Sequence, residues 1–85
     1  MVYILRCNDN SLYTGITNDL DKRLKTHNKG KASKYTRTRL PVELVALKEG
    51  LTKSQALKLE YKVKQQKKSK KIQFLTSYTI EEKDE

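Results

Sequence analysis

Four kinds of side chain in this 85-residue sequence can act on a charged substrate, and their spacing decides which of them can meet. Tyr3 and Tyr13 flank Asn8-Asp9-Asn10-Ser11, a run of turn-forming residues, so the two phenols can lie on neighbouring strands of a hairpin. By strand alternation Tyr3 shares a face with Leu5, and Tyr13 shares one with Gly15. Such a pair either fills space in a half-buried sheet or orients water and protons. Arg23 and His27 are four residues apart, which on a helix puts them on one face. A guanidinium there can hold a phosphate at two points and offset charge that grows in a transition state, while an imidazole beside it can pass a proton. The same two residues also suit a plain solvated helix face. Glu60 is the only acid between Gly50 and Thr79, in a segment that carries Lys53, Lys58, Lys62, Lys64, Lys67 and Lys68. A lone carboxylate in a phosphate-attracting surface can hold a divalent cation whose shell is completed by phosphate and water. It can equally form an i,i+4 pair with Lys64.

The charge around these residues narrows the partners. Nineteen Lys and Arg stand against ten Asp and Glu, for a net charge of +9, and four of the acids lie in residues 81–85. Residues 22–39 hold eight basic side chains and no acid, and residues 62–71 hold six lysines and no acid. Such fields attract polyanions, of which nucleic acid is the commonest in a cytoplasm. The alternative is a lysine-rich surface that serves solubility alone. A membrane-surface helix fits less well, because the second block has few large apolar residues opposite its lysines. No apolar run approaches the ~18 residues of a membrane span, and no secretory signal is visible, so a cytoplasmic protein is expected. One cysteine, Cys7, and one histidine exclude an internal disulfide framework and a Cys/His zinc cluster.

The length allows one domain with a thin core, expected over residues 1–79, followed by an acidic, frayed tail over 80–85. Residues 2–5 and 12–17 read as the two strands of a hairpin. Gly15 would weaken the second strand unless a neighbouring side chain, a bulge or a ligand must come close to the backbone there. Asn18 or Asp19 can cap a helix from about residue 20 to 29, with Leu20, Leu24 and either His27 or Asn28 on its apolar face. Residues 30–41 read as a basic loop with one turn near 34–37, closed by Pro41. Residues 42–47 form a third strand, with Val42, Leu44 and Ala46 expected on one face. Thr52 and Gln55 make a capping box for a helix over 53–66, in which Ala56, Leu59 or Glu60, and Val63 share a face. Ser69 is expected to cap a short last helix that docks Ile72, Leu75 and Phe74. The result is an α+β (α/β) domain of order β-β-α-β-α-α, a small, mainly antiparallel three-stranded sheet flanked by helices.

Taken together the residues resemble a known family. Val2-Tyr3 stands where the second and third letters of a GIY motif would be, and Tyr13-Thr14-Gly15 is similar to its YIG partner. The stretch 16–28, with Arg23 and His27-Asn28, resembles the helix that follows, and Glu60 falls where that family has its metal-binding glutamate. Lys34-Tyr35-Thr36-Arg37 and Arg39-Leu40-Pro41-Val42 also match a small subgroup. The chain resembles the GIY-YIG nuclease superfamily, in particular the small single-domain bacterial type related to the catalytic domain of the excision-repair endonuclease.

The resemblance implies an endonuclease that hydrolyses phosphodiester bonds in nucleic acid, DNA rather than RNA, with one divalent cation, Mg²⁺ or Mn²⁺, in repair or recombination. Glu60 would hold the cation and Arg23 would neutralise the scissile phosphate. Tyr13, with Tyr3 beside it, would orient water or take its proton, and His27 would assist proton transfer or contact phosphate. Gly15, Tyr35, Arg37 and Lys64 would position substrate. Lys22, Lys34, Lys67 and Lys68 would belong to the phosphate-binding surface. Two positions depart from the pattern: Met1 replaces the glycine of GIY, and Ile72 stands where an asparagine often follows the glutamate. No further DNA-binding module is present in the sequence, so a separate protein partner is expected to supply targeting. The competing reading is a domain that binds nucleic acid on the same scaffold without cutting it.

Overall fold

The computed structural model describes residues 1–79, so the tail expected over 80–85 lies outside the described residues. β1 (Val2–Arg6) and β2 (Leu12–Ile16) form the hairpin, with Tyr3 opposite Gly15 and Leu5 opposite Tyr13. Their turn closes through Asn10 at φ 68°, a left-handed conformation that asparagine tolerates. The Asp19 side chain accepts from Lys22 N and starts α1 (Leu20–Asn28), which stops at Gly30 with φ 75°. Ser33 caps the single turn α2 (Lys34–Arg37). β3 (Glu43–Lys48) then pairs with the free side of β1, giving the antiparallel order β2-β1-β3. The Thr52–Gln55 capping box is complete at the start of α3 (Lys53–Lys64), and α4 (Lys68–Ser77) follows. The α+β order β-β-α-β-α-α therefore holds, with α2 as the turn expected inside the basic loop.

Helices cover both faces of the sheet. On one face Val2, Ile4 and Ala46 meet Ala56, Leu59 and Val63 of α3 and Leu75 of α4. On the other, Tyr3, Leu5, Cys7 and Val42 are covered by Leu20 and Leu24 of α1 and by Leu40. Each fully buried aliphatic side chain contributes about 1.5–3 kcal/mol relative to exposure, which is how so thin a core holds three strands together.

Three local expectations need correction. Ser69 does not cap the last helix: Lys67 occupies the cap without a side-chain bond, and Ser69 lies inside the first turn of α4. α3 ends at Lys64 rather than at residue 66. Val42, Leu44 and Ala46 do not share a face, because the β1–β3 register shifts between Ile4 and Leu5, so that Leu44 faces Leu5 while Ala46 faces Ile4. A bulge of this kind breaks simple alternation, and alternation was all the apolar pattern offered.

Val42 precedes β3, and Asn28 holds it there. Val42 N donates to Asn28 Oδ1 at 2.9 Å and Asn28 Nδ2 donates to Val42 O at 3.4 Å, so the last residue of α1 is tied to the start of the third strand. Asn28→Ala leaves the Val42 N–H without that acceptor and should lower stability by about 1–3 kcal/mol. The check is urea denaturation, with a reduced midpoint and an unchanged slope; a midpoint equal to wild type would contradict this role.

Candidate active site

Gly15 admits the ring of Tyr3. A Cβ built on Gly15 would lie 2.5 Å from Tyr3 Cζ and closer still to its hydroxyl, so the phenol lies directly over the glycine backbone. Of the three reasons that could keep a glycine in β2, the neighbouring side chain is the one realised. Tyr3 is only 2% exposed, and its hydroxyl is 3.0 Å from His27 Nε2. His27 in turn places Nδ1 2.9 Å from Thr36 Oγ1, whose hydroxyl donates to Ser33 O at 3.4 Å. That donation assigns the chain of protons: His27 Nδ1–H gives to Thr36, and Nε2 accepts from the Tyr3 hydroxyl.

Burial and the nearby Arg23 guanidinium hold the His27 pKa below its ordinary 6.5, in keeping with a neutral acceptor. For Tyr3, burial above all, together with the charges of Tyr13 and Glu60, pushes the pKa up to about 12 against the opposing pull of Arg23. Residues from β2, α1 and α3 thus act on one phenol. Because the folded chain takes up the His27 proton at lower pH than the unfolded chain does, His27 supports stability above pH 6.5 and withdraws that support as the pH falls through it.

The expected site residues divide by position. Tyr13, half-buried, sets its ring edge-on to His27 at 5.2 Å between centroids and 6.4 Å from the Tyr3 ring. Tyr35 stacks on Tyr13 at 6.2 Å, and the Arg39 guanidinium lies 3.9 Å above Tyr35. Arg23 is exposed on α1 and lines a shallow hollow with Lys22, Asn18 and Asp19. His27 is 1% exposed, with both ring nitrogens engaged, which leaves neither nitrogen open to a phosphate. Arg23 and His27 therefore do not share a solvated face, since the helix turns the imidazole into the core.

Glu60 forms the i,i+4 pair with Lys64, Oε2 to Nζ 3.4 Å, and its side chain is 23% exposed. Lys64 lines a groove of about 370 Å³ with Leu12, Tyr13, Thr14, Tyr35 and Lys71. Lys67 and Lys68 line a separate hollow at the hairpin end, with Arg6 and Ile72, and meet the groove only at Leu12. Lys34 is exposed at the start of α2, and Arg37, also exposed, ends it. Thr36 and Arg39 were not among the expected site residues. A single helical turn in a basic loop has no periodicity from which an inward-facing threonine could be read.

Among the described residues no three His, Cys, Asp or Glu side chains gather into a metal cage. A lone, partly exposed carboxylate suits an ion such as Mg²⁺, which keeps several waters and takes phosphate oxygens from substrate instead of a full set of protein ligands. No helix among the described residues is long and apolar enough to cross a membrane.

The GIY-YIG catalytic domain family matches residues 1–73. The chain is similar to the UPF0213 protein RBAM_000440 of Bacillus velezensis, 56% identical over 73 residues that cover 86% of this chain and 74% of that one. It is also similar to the UPF0213 protein YazA of Bacillus subtilis, 51% identical over 69 residues, covering 81% and 70% respectively. Among solved structures, the solution NMR structure of the UPF0213 protein BH0048 from Bacillus halodurans aligns with a TM-score of 0.54 at 48% identity, covering 88% of this chain and 80% of that one.

Gly15→Ala would drive a methyl group into the Tyr3 ring and should cost about 1–3 kcal/mol by overpacking. In a Tyr3→Leu background the ring is gone and most of that cost should vanish, which a double-mutant cycle measures. Equal costs in the two backgrounds would show that the glycine serves something other than this ring.

Proposed function

This chain belongs to the GIY-YIG catalytic domain family, and from that membership and the site geometry we propose that it is a divalent-metal-dependent endonuclease that hydrolyses phosphodiester bonds in DNA. The observation that carries the reading is the Tyr3–His27 hydrogen bond at 3.0 Å, set beside the Tyr13 ring, which meets both the phenol and the imidazole. A structural tyrosine needs a partner for its hydroxyl. It does not need that partner to be a neutral imidazole backed by a second proton acceptor.

Hydrolysis needs a water oriented in line with the scissile phosphorus, an acceptor for its proton, and charge to match the growing negative charge. Tyr13, half-exposed on the groove, orients the water. A phenol with a pKa near 12 cannot wait as a phenolate at neutral pH, so Tyr3 works as a relay: it gains the water's proton as its own passes to His27 Nε2. Thr36 keeps Nδ1–H engaged, which leaves Nε2 ready to accept. Water oxygen bonds to phosphorus, the bond to the leaving oxygen breaks, and Arg23 offsets the charge on the phosphate. Glu60 would hold the divalent cation, Mg²⁺ or Mn²⁺, which would supply Lewis-acid stabilisation of the growing negative charge. Lys22 and Lys34 add sequence-independent attraction for the backbone, and such contacts position rather than specify. Branched, nicked or single-stranded DNA is the expected substrate, with targeting by a partner protein in the cytoplasm.

The test is cleavage of a panel of labelled, structured DNAs with Mg²⁺ or Mn²⁺. Activity should vanish on chelation and fall by on the order of 10²–10³ in Arg23→Ala and Glu60→Gln. Salt-sensitive binding without any cleavage by wild type would favour the binding-only reading, and undiminished cleavage by both variants would remove these residues from the mechanism.

A further inference from the structure

Thr14 has a feature that the proposed reaction does not use. It lies in the middle of β2, opposite Ile4, and is 4% exposed, yet its Oγ1 has no hydrogen-bond partner among the described residues. Valine would fill nearly the same volume, favours strands equally and carries no polar atom to desolvate. The fold therefore gains nothing from this hydroxyl. Thr14 also lines the groove of about 370 Å³ into which α3 brings Lys64 and α4 brings Lys71. A hydroxyl donor and two ammonium groups around one groove are what a phosphodiester oxygen takes as partners. The groove adjoins the reacting groups at two points, since Tyr13 forms its wall and Lys64 is paired to Glu60 at 3.4 Å.

We infer that Thr14, Lys64 and Lys71 form a second phosphate subsite, which grips the backbone phosphate next to the one that is cut. The inference rests on the nuclease reading for its position but not for its chemistry. Lys64 couples the two places. While Lys64 neutralises Glu60 its ammonium is shared with that carboxylate; if Glu60 held a cation, Lys64 would be free to give its whole charge to the groove. Metal loading and the hold on substrate are then linked through one exchange of partners.

The probe is a short fluorescein-labelled oligothymidylate, titrated by anisotropy in EDTA against wild type, Thr14→Val and Lys71→Ala, with thermal unfolding of each protein alongside. Thr14→Val should melt higher than wild type, because an unpaired buried hydroxyl is gone, and should bind about tenfold more weakly. Lys71→Ala should keep the wild-type melting temperature, weaken binding several-fold and make the slope of log affinity against log salt shallower by about one phosphate contact. Thr14→Val that is more stable but binds as wild type would overturn the role of the hydroxyl. If Thr14→Val does not fold, Lys71→Ala decides alone, and unchanged affinity and slope would overturn the subsite. Adding Mg²⁺ should strengthen binding by wild type more than by Lys64→Ala; an equal gain in both would refute the exchange. Should wild type cleave and Glu60→Gln not, while Thr14→Val and Lys71→Ala bind normally, the subsite fails and the nuclease reading stands. Should wild type never cleave while both variants bind weakly, the nuclease reading fails and the phosphate site stands.

Discussion

A single steric opening, the missing Cβ of Gly15, lets the Tyr3 ring lie across the edge strand and carry its hydroxyl to His27. With any larger residue at that position, Tyr3 would have to turn away, and the bond to the imidazole would be lost with it. The hairpin register supplies this opening, because it sets Tyr3 opposite Gly15 and Tyr13 opposite Leu5 on the same face. α1 then has to deliver a buried imidazole and an exposed guanidinium within four residues, which it does by placing His27 inward among Leu20 and Leu24 while Arg23 remains at the rim. The sheet, the first helix and the glycine are thus one device.

The electrostatics follow from that closeness. A buried imidazole near a guanidinium resists protonation, and a buried phenol next to a second phenol resists ionisation. Each is therefore held in the form that can share one proton with the other. In a thin domain such an arrangement is a liability unless every polar atom is paired, and here Thr36 and Ser33 of the basic loop complete the pairing. The loop is accordingly part of the core and not only a cationic surface. Arg39 extends this tie by bonding Tyr35 O and Asp9, which fastens α2 to the hairpin turn. By comparison, the Glu60–Lys64 pair lies in partial contact with water, where ion pairs contribute little to stability. Its interest lies in what can replace one of its members.

Most of the architecture was legible because it rests on local rules. Turn residues marked the hairpin, the Asn18-Asp19 pair and the Thr52–Gln55 box marked two helix starts, and a β-branched run marked β1. The bulge in β3 was not legible, since an extra residue leaves no trace in an apolar pattern that both faces share. The start of α4 was misread because Ser69 looks like a cap, whereas Lys67 takes that position with no side-chain bond. At the site, the tyrosines, Arg23, His27 and Glu60 were legible as residues; of their burial only that of His27 was in view, as an alternative to Asn28 on the apolar face of the helix. Four-residue spacing on a helix says that Arg23 and His27 are neighbours; only the position of Leu20 and Leu24 against the sheet decides that one is inside. Thr14 and Thr36 stood inside stretches that resemble the family, but nothing marked either as buried, because a threonine announces neither a partner nor the lack of one until the neighbouring elements are in place.

His27 is the only histidine in the chain, so its ring nitrogens can be read without ambiguity. Long-range ¹H–¹⁵N correlation spectra at neutral pH, followed down in pH, test the central arrangement directly. A neutral ring with its proton on Nδ1, an unprotonated Nε2 and a midpoint of protonation below 6.5 is the expected result. A proton on Nε2, or an imidazolium at neutral pH, would mean that Tyr3 does not donate to His27 and that the proposed proton path does not exist.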